Sequence, residues 1–250
     1  RMAREGARVA LIGKTTDPHP KLEGTIFTAA KEAEDAGATE ALPVKGDIRF
    51  EEEIIQIVKK VTDAFGGIDI LVNNASAISL TGTEETNFKR WQLMHDINVR
   101  GTFFMCKECI PYLRRSDNPH ILNLSPPLNM LPGWFSRHTA YTISKYGMSM
   151  IVMGLSEEFR EEGIAVNALW PKTTIATAAV QNLLGGDFLI RRSRKPEIVA
   201  DAAYHIFSKP SRENTGHFYI DEEVLGEQGI TDFTPYAVDP SQKLMADLFI

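Results

Sequence analysis

Ala140-Tyr141-Thr142-Ile143-Ser144-Lys145-Tyr146-Gly147-Met148 opens an apolar run that continues through Met150-Ile151-Val152-Met153-Gly154-Leu155 and closes in the charged stretch Glu157-Glu158-Phe159-Arg160-Glu161-Glu162. This pattern predicts a mostly buried helix with a wet C-terminal end. Tyr141 and Lys145, four residues apart, then stand one turn apart on one face of it. An ammonium beside a phenol favours the phenolate and lowers its pKa from roughly 10 toward working pH. A phenol tuned in this way can pass a proton to or from a substrate oxygen. The plainer alternative is a core tyrosine and an unrelated lysine, and the spacing alone does not choose between them.

Outward from this helix the chain alternates short apolar runs with helical periodicity. Strands are expected at residues 7–12, 41–48, 69–72, 120–124, 164–169 and 216–221. Asp69-Ile70-Leu71-Val72 reads as a fully buried strand that leaves through Asn73-Asn74-Ala75-Ser76. Helices are expected at 25–36, at 51–65 with Ile54, Ile55, Ile57, Val58, Val61 and Phe65 at helical spacing, at 88–112, and again after Lys195-Pro196-Glu197. Alternation of this kind points to a parallel α/β sheet covered by helices. Cys106-Lys107-Glu108-Cys109 lies inside an apolar helical run with no further metal ligands at hand, so both cysteines read as small core residues and no metal site is expected.

Four motifs in order, Leu71-Val72-Asn73-Asn74-Ala75, Ile97-Asn98-Val99-Arg100-Gly101, the Tyr141/Lys145 pair, and Ala165-Val166-Asn167-Ala168-Leu169-Trp170-Pro171, resemble the short-chain dehydrogenase/reductase family along nearly the whole chain. Asp17-Pro18-His19-Pro20-Lys21-Leu22 and the run from Ile121 through Ser125-Pro126-Pro127 to Asn129 look closer still to one branch of it. The resemblance implies a Rossmann-type doubly wound parallel sheet in a single domain over residues 1–250, with 222–250 as a tail packing on it or on a neighbouring subunit. Arg1-Met2-Ala3-Arg4-Glu5-Gly6 reads as the last turns of a helix, and no glycine-rich phosphate loop occurs in the chain. The expectation is therefore an N-terminally incomplete fold, its first strand and glycine loop absent, amounting to roughly 30 residues.

The same resemblance assigns roles. Tyr141 is the acid/base, Lys145 lowers its pKa and grips the nicotinamide ribose, and Asn98 holds a water linking Lys145 to solvent. Ser125 is left to orient the substrate oxygen, but it stands 16 residues before Tyr141, farther than the family's serine, with Pro126 and Pro127 in the neighbouring slots. Either it swings in or the site works without it. Loss of one such donor is typically worth roughly 3 kcal/mol of barrier. For the cofactor, Lys14 at the end of a strand favours NADP over NAD, because a cation accommodates the 2′-phosphate; a solvated loop lysine is the alternative. Asp47 is a candidate for the adenine edge and, compatibly, a helix N-cap after Phe50. Asn73 and Ala75 are placed beside the cofactor, with Pro171 and Thr173 where the family contacts the carboxamide and phosphates.

The totals set bounds. A chain of 250 residues with a formal net charge of −6 speaks against nucleic acid or an anionic membrane as the main partner. No apolar run is long enough to span a bilayer, so the default compartment is cytoplasmic, or an organelle if an address precedes Arg1. Residues 178–195 read as a substrate lid, with Arg191-Arg192-Ser193-Arg194-Lys195 as either a solvated face or a greeting for an acidic head group. Leu183, Leu184, Phe188, Trp134 and Phe135 near the expected mouth, taken with the family resemblance, imply an apolar, lipid-like or terpenoid carbonyl or alcohol as substrate. A homodimer or homotetramer is expected from the family's use of its long helices. The rival is a non-catalytic dinucleotide-binding or scaffold protein of the same fold.

Overall fold

The structure, a computed structural model, describes residues 1–18 and 24–250. The expected loop at 16–24, and most of the Asp17–Leu22 stretch, lie largely outside the described residues. In chain order the elements are β1 (Arg8–Gly13), α1 (Ile26–Asp35), β2 (Glu40–Lys45), α2 (Glu51–Phe65), β3 (Ile70–Asn73) and α3 (Phe88–Met94). A π-helical turn (His95–Gly101) joins α3 to α4 (Thr102–Leu113). There follow β4 (His120–Asn123), α5 (Gly133–Ser136), α6 (Thr139–Glu158), β5 (Ala165–Trp170), α7 (Gly186–Ile190), α8 (Glu197–Phe207), β6 (Phe218–Ile220) and α9 (Asp221–Glu227). This is the expected alternation of parallel strands and helices.

The chain forms two compact units. The first comprises Arg1–Gly46, Pro171–Ser208 and Ile220–Asp247. Here β1 and β2 pair in parallel, Arg8 opposite Glu40 through Gly13 opposite Lys45. Thr25 caps α1, its hydroxyl accepting from the Phe27 and Thr28 amides while Thr28 Oγ1 accepts from the Thr25 amide. Opening residues Met2–Glu5 form a 3₁₀ turn closed by Gly6 at φ 75, a left-handed cap that glycine adopts without strain.

The second unit comprises Asp47–Trp170, Lys209–Tyr219 and Leu248–Ile250. Its sheet runs β3-β4-β5-β6, with β3, β4 and β5 parallel and in register at Asn73, Asn123 and Ala168. Every residue of β4 and β5 is buried, the polar His120, Asn123 and Asn167 included, as in a parallel sheet covered on both faces. β3 departs from its reading as fully buried: Ile70 and Val72 are 37% and 45% exposed, because only the Leu71/Asn73 face of this strand is covered. Cys106 and Cys109 are buried and free, and burial pushes the Cys106 thiol up to about 12. They are core residues and not a redox pair. The Tyr141-bearing helix α6 packs tightly on the π turn, where a Cβ on Gly147 would sit 2.7 Å from Val99 Cγ2. Only glycine permits that approach. Among the described residues no helix is long and apolar enough to cross a membrane.

Candidate active site

Helix α6 carries Tyr141 and Lys145 inward, both buried. The Lys145 ammonium is only 2% exposed, donates to the Leu124 carbonyl at 2.6 Å, and lies 5.0 Å from the centre of the Trp170 indole. The Lys145 nitrogen is thus held by a backbone carbonyl and an indole face one helical turn from a buried phenol. Burying a charge in this way is costly unless its donors are satisfied, and the carbonyl and the π face both serve.

Asn98 sits at the centre of the π turn and is fully buried. Its side-chain amide donates to the Ala77 carbonyl at 2.9 Å and to Ser144 Oγ at 3.0 Å, and its Oδ1 accepts from the Ala77 amide at 2.8 Å. Ser144 Oγ in turn donates to the Tyr141 carbonyl at 2.8 Å. The asparagine therefore ties the segment after β3 to the helix of the tyrosine. A helical asparagine does mark a local irregularity here, since a π turn leaves its side chain free to bond away from its own helix.

The segment after β4 is pinned down. Ser125 is fully buried and its Oγ finds no partner among the described residues, while the adjoining Pro126 carbonyl accepts from Ser149 Oγ at 2.6 Å. Asn73 turns its amide onto Asn123 Oδ1 at 2.8 Å and Cys106 Sγ at 3.3 Å, cross-linking β3, β4 and α4. Ala75 is exposed in the loop that follows. Asp47 is not a helix cap: the N-cap of α2 is Phe50, without a side-chain bond. Instead the Asp47 carboxylate takes the Arg49 guanidinium at 2.5–3.0 Å and the Arg49 amide at 3.1 Å, and the Asp47 amide bonds to Glu53. A nearby guanidinium outcompetes distant amides for a carboxylate.

The remaining candidates belong to the first unit. Lys14 is exposed at the end of β1. Pro171 and Thr173 are buried, and Thr173 Oγ1 has no partner among the described residues. The run Arg191–Lys195 is no open basic face. Arg191 pairs with Asp239 at 2.7 Å, Arg192 stacks on Phe188 at 4.0 Å, Lys195 donates to the Pro235 carbonyl at 3.0 Å, and Arg194 is buried against Glu222 at 2.6 Å. Lys172 reaches the same Glu222 at 3.3 Å.

One group was not expected at all. His138 is 6% exposed, its Nε2 is without a partner among the described residues, and its ring lies 6.1 Å from that of Tyr141. Burial, helped by Arg137, holds its pKa below the usual histidine value, so the ring is neutral near pH 7. Both rings also face Phe249, at 6.2 and 6.3 Å.

The model of the short chain dehydrogenase family matches residues 1–185. The chain belongs to that family. The short-chain dehydrogenase is 58% identical over 248 residues to hydroxysteroid dehydrogenase-like protein 2 of Danio rerio, covering 99% of this chain and 59% of that protein. It thus spans under two thirds of the length of the curated relatives it matches. Among solved structures, a short chain dehydrogenase of Mycobacterium thermoresistibile is 53% identical with a TM-score of 0.93, covering 99% of this chain and 88% of that one. A putative dehydrogenase of Xanthomonas campestris is 48% identical with a TM-score of 0.95, covering 99% and 90%. The family, and the branch to which the shorter stretches pointed, are as the sequence motifs implied. Enzymes of this short-chain dehydrogenase family use a nicotinamide dinucleotide, and the buried Thr173 Oγ1, without a partner among the described residues, fits a polar group from outside the chain.

Proposed function

We propose that the chain is an NADP(H)-dependent oxidoreductase interconverting an alcohol and a carbonyl on an apolar, lipid-like or terpenoid substrate. The observation that carries this reading is the Lys145 ammonium held dry one turn from the Tyr141 phenol. A bound nicotinamide supplies or accepts the hydride. Tyr141 gives a proton to the carbonyl oxygen in reduction and takes it back in oxidation. Lys145 favours the phenolate and holds the ribose, and Asn98 keeps the relay in place by fixing Ser144 and, through it, the Tyr141 carbonyl. Ser125 is left as a weak orienting donor. Lys14 receives the 2′-phosphate, Asp47 the adenine edge, Asn73 and Ala75 the neighbouring ribose, and Pro171 and Thr173 the carboxamide and phosphates.

Self-association fits the exposed face of the long helices. Phe103, Ile143, Met150 and Met153 are exposed, and a shallow groove runs among His95, Val99, Phe103 and Ile151. A homodimer or homotetramer would cover that surface.

The fully buried Ser125 beside Pro126 is the one observation that favours a non-catalytic scaffold. NADPH oxidation over a panel of aldehydes and ketones, measured beside Tyr141→Phe, separates the two. A fall of about 10²-fold or more in the variant is expected. Equal rates would end the enzyme reading.

A further inference from the structure

Phe249, next to the exposed Ile250, has its side chain only 1% exposed. The ring is surrounded by aromatic neighbours of the same unit, with centroids at 5.3 Å for Tyr146, 5.6 Å for Trp134, 6.1 Å for Trp170, 6.2 Å for His138 and 6.3 Å for Tyr141. The Trp170 indole N–H donates to the Leu248 carbonyl at 2.9 Å and fixes the approach.

Two features set this cluster apart from an ordinary aromatic core. Phe249 has φ 73, the only positive φ outside glycine among the described residues. A side chain bearing a Cβ adopts that conformation at a cost, and it persists only where the surroundings impose it. The second feature is His138 Nε2, buried in the cage wall without a partner among the described residues. A packed core gains nothing from such an atom; a site waiting for an oxygen does.

We propose that this aromatic cage is a binding site for a flat, apolar ring bearing one carbonyl or hydroxyl oxygen, and that Phe249 is its built-in occupant, displaced when the ligand enters. The phenyl ring shows what the cage accepts. His138 Nε2 and the Tyr141 phenol are the polar groups that meet the ligand's oxygen. Release of the segment returns Phe249 to a relaxed backbone, which makes its exit easier than that of a core phenylalanine in an unstrained conformation. The assignment narrows the substrate of the oxidoreductase and to that extent rests on that reading, although binding itself requires no turnover.

The test uses ¹⁹F NMR titrations of the whole chain with 4-fluoroacetophenone and with fluorobenzene, its oxygen-free counterpart. Phe249→Gly removes the plug and suits the left-handed backbone; Phe249→Leu is the milder companion, and thermal melts report whether each folds. Phe249→Gly is expected to bind 4-fluoroacetophenone at least tenfold more tightly than the unsubstituted chain and to prefer it to fluorobenzene. His138→Leu in the same background is expected to erase the preference while leaving fluorobenzene binding unchanged. Equal affinity with and without Phe249, no binding to either, or unfolding of both Phe249 variants would each overturn the proposal. Binding as expected, with no NADPH oxidation by any variant, would leave the site standing and remove the oxidoreductase reading instead.

Discussion

Asn98→Ala should destabilise the protein by about 2–3 kcal/mol. The residue is fully buried and makes three hydrogen bonds, two to the backbone of Ala77 and one to Ser144 Oγ. A neutral hydrogen bond contributes about 1 kcal/mol net, and more when its removal strands a buried partner. Ala77 is half-buried and regains water in part, while Ser144 Oγ keeps its bond to the Tyr141 carbonyl. The sum therefore stays near the simple count of three. At about 2–4 °C per kcal/mol for a chain of this size, the melting temperature followed by far-ultraviolet circular dichroism should drop by roughly 4–12 °C. Hydrogen exchange should speed up at the Ala77 amide, which loses its acceptor. Asn98→Asp should be no better: it keeps Oδ1 but turns an anionic oxygen toward the Ala77 carbonyl in a buried place. A melting temperature within about 2 °C of the parent with Ala77 protection intact, or Asn98→Asp proving more stable than Asn98→Ala near pH 7, would refute the reasoning.

Three further outcomes are expected. Glu222→Gln should cost about 2–4 kcal/mol in urea unfolding at pH 7, because it leaves the Arg194 guanidinium, 6% exposed, facing a neutral amide. Burial alone would raise the Glu222 carboxyl, but Arg194 and Lys172 together hold it below the usual carboxylate range; this stabilisation is present above the unfolded value near 4.3 and lost as pH falls through the folded one, so the gap between the two proteins should close in acid. Burial lowers the pKa of His120 to about 4, with a hydrogen bond to the Lys209 backbone opposing. The unfolded chain then takes up a proton below about pH 6.5 while the folded one does not, and stability should decline between there and pH 4 by up to about 3 kcal/mol, an acid limb that His120→Leu should flatten in pH-dependent melts. Phe103→Glu should reduce the mass of the proposed homo-oligomer in light scattering; an oligomer of unchanged mass would exclude this face as its interface, and a monomeric parent would end the proposal of self-association.

Much of the fold was legible because it depends on local pattern. α2 appears at residues 51–65 as its apolar spacing requires, although Ile55 of that set is exposed, and β4 and β5 are buried on both faces. The pairing of Tyr141 with Lys145 on one helix was legible for the same reason. What escaped depends on partners far along the chain. Arg191 and Arg194 read as open cations because Asp239 and Glu222 lie 48 and 28 residues away. Asp47 is the exception: its partner Arg49 stands only two residues away, and a cap and an ion pair are equally open to a carboxylate at that place. The apolar run of β3 fits a strand covered on one face as well as one covered on both, so composition could not foresee exposed Ile70 and Val72. His138 carried no signal of its own, since its surroundings come from Phe249 at the other end of the numbering.

The π turn at His95–Gly101 has a consequence for how this chain tolerates change. One residue more than an α-helical turn rotates everything after it by about 100° around the helix axis. The inward direction of Asn98, and the faces that Met105, Cys106 and Cys109 present to the core, are thus set by a count of residues as much as by their chemistry. Through these seven positions, length is the inherited quantity: side chains can be exchanged one at a time, whereas a single deletion would swing α4 out of phase with the sheet it covers.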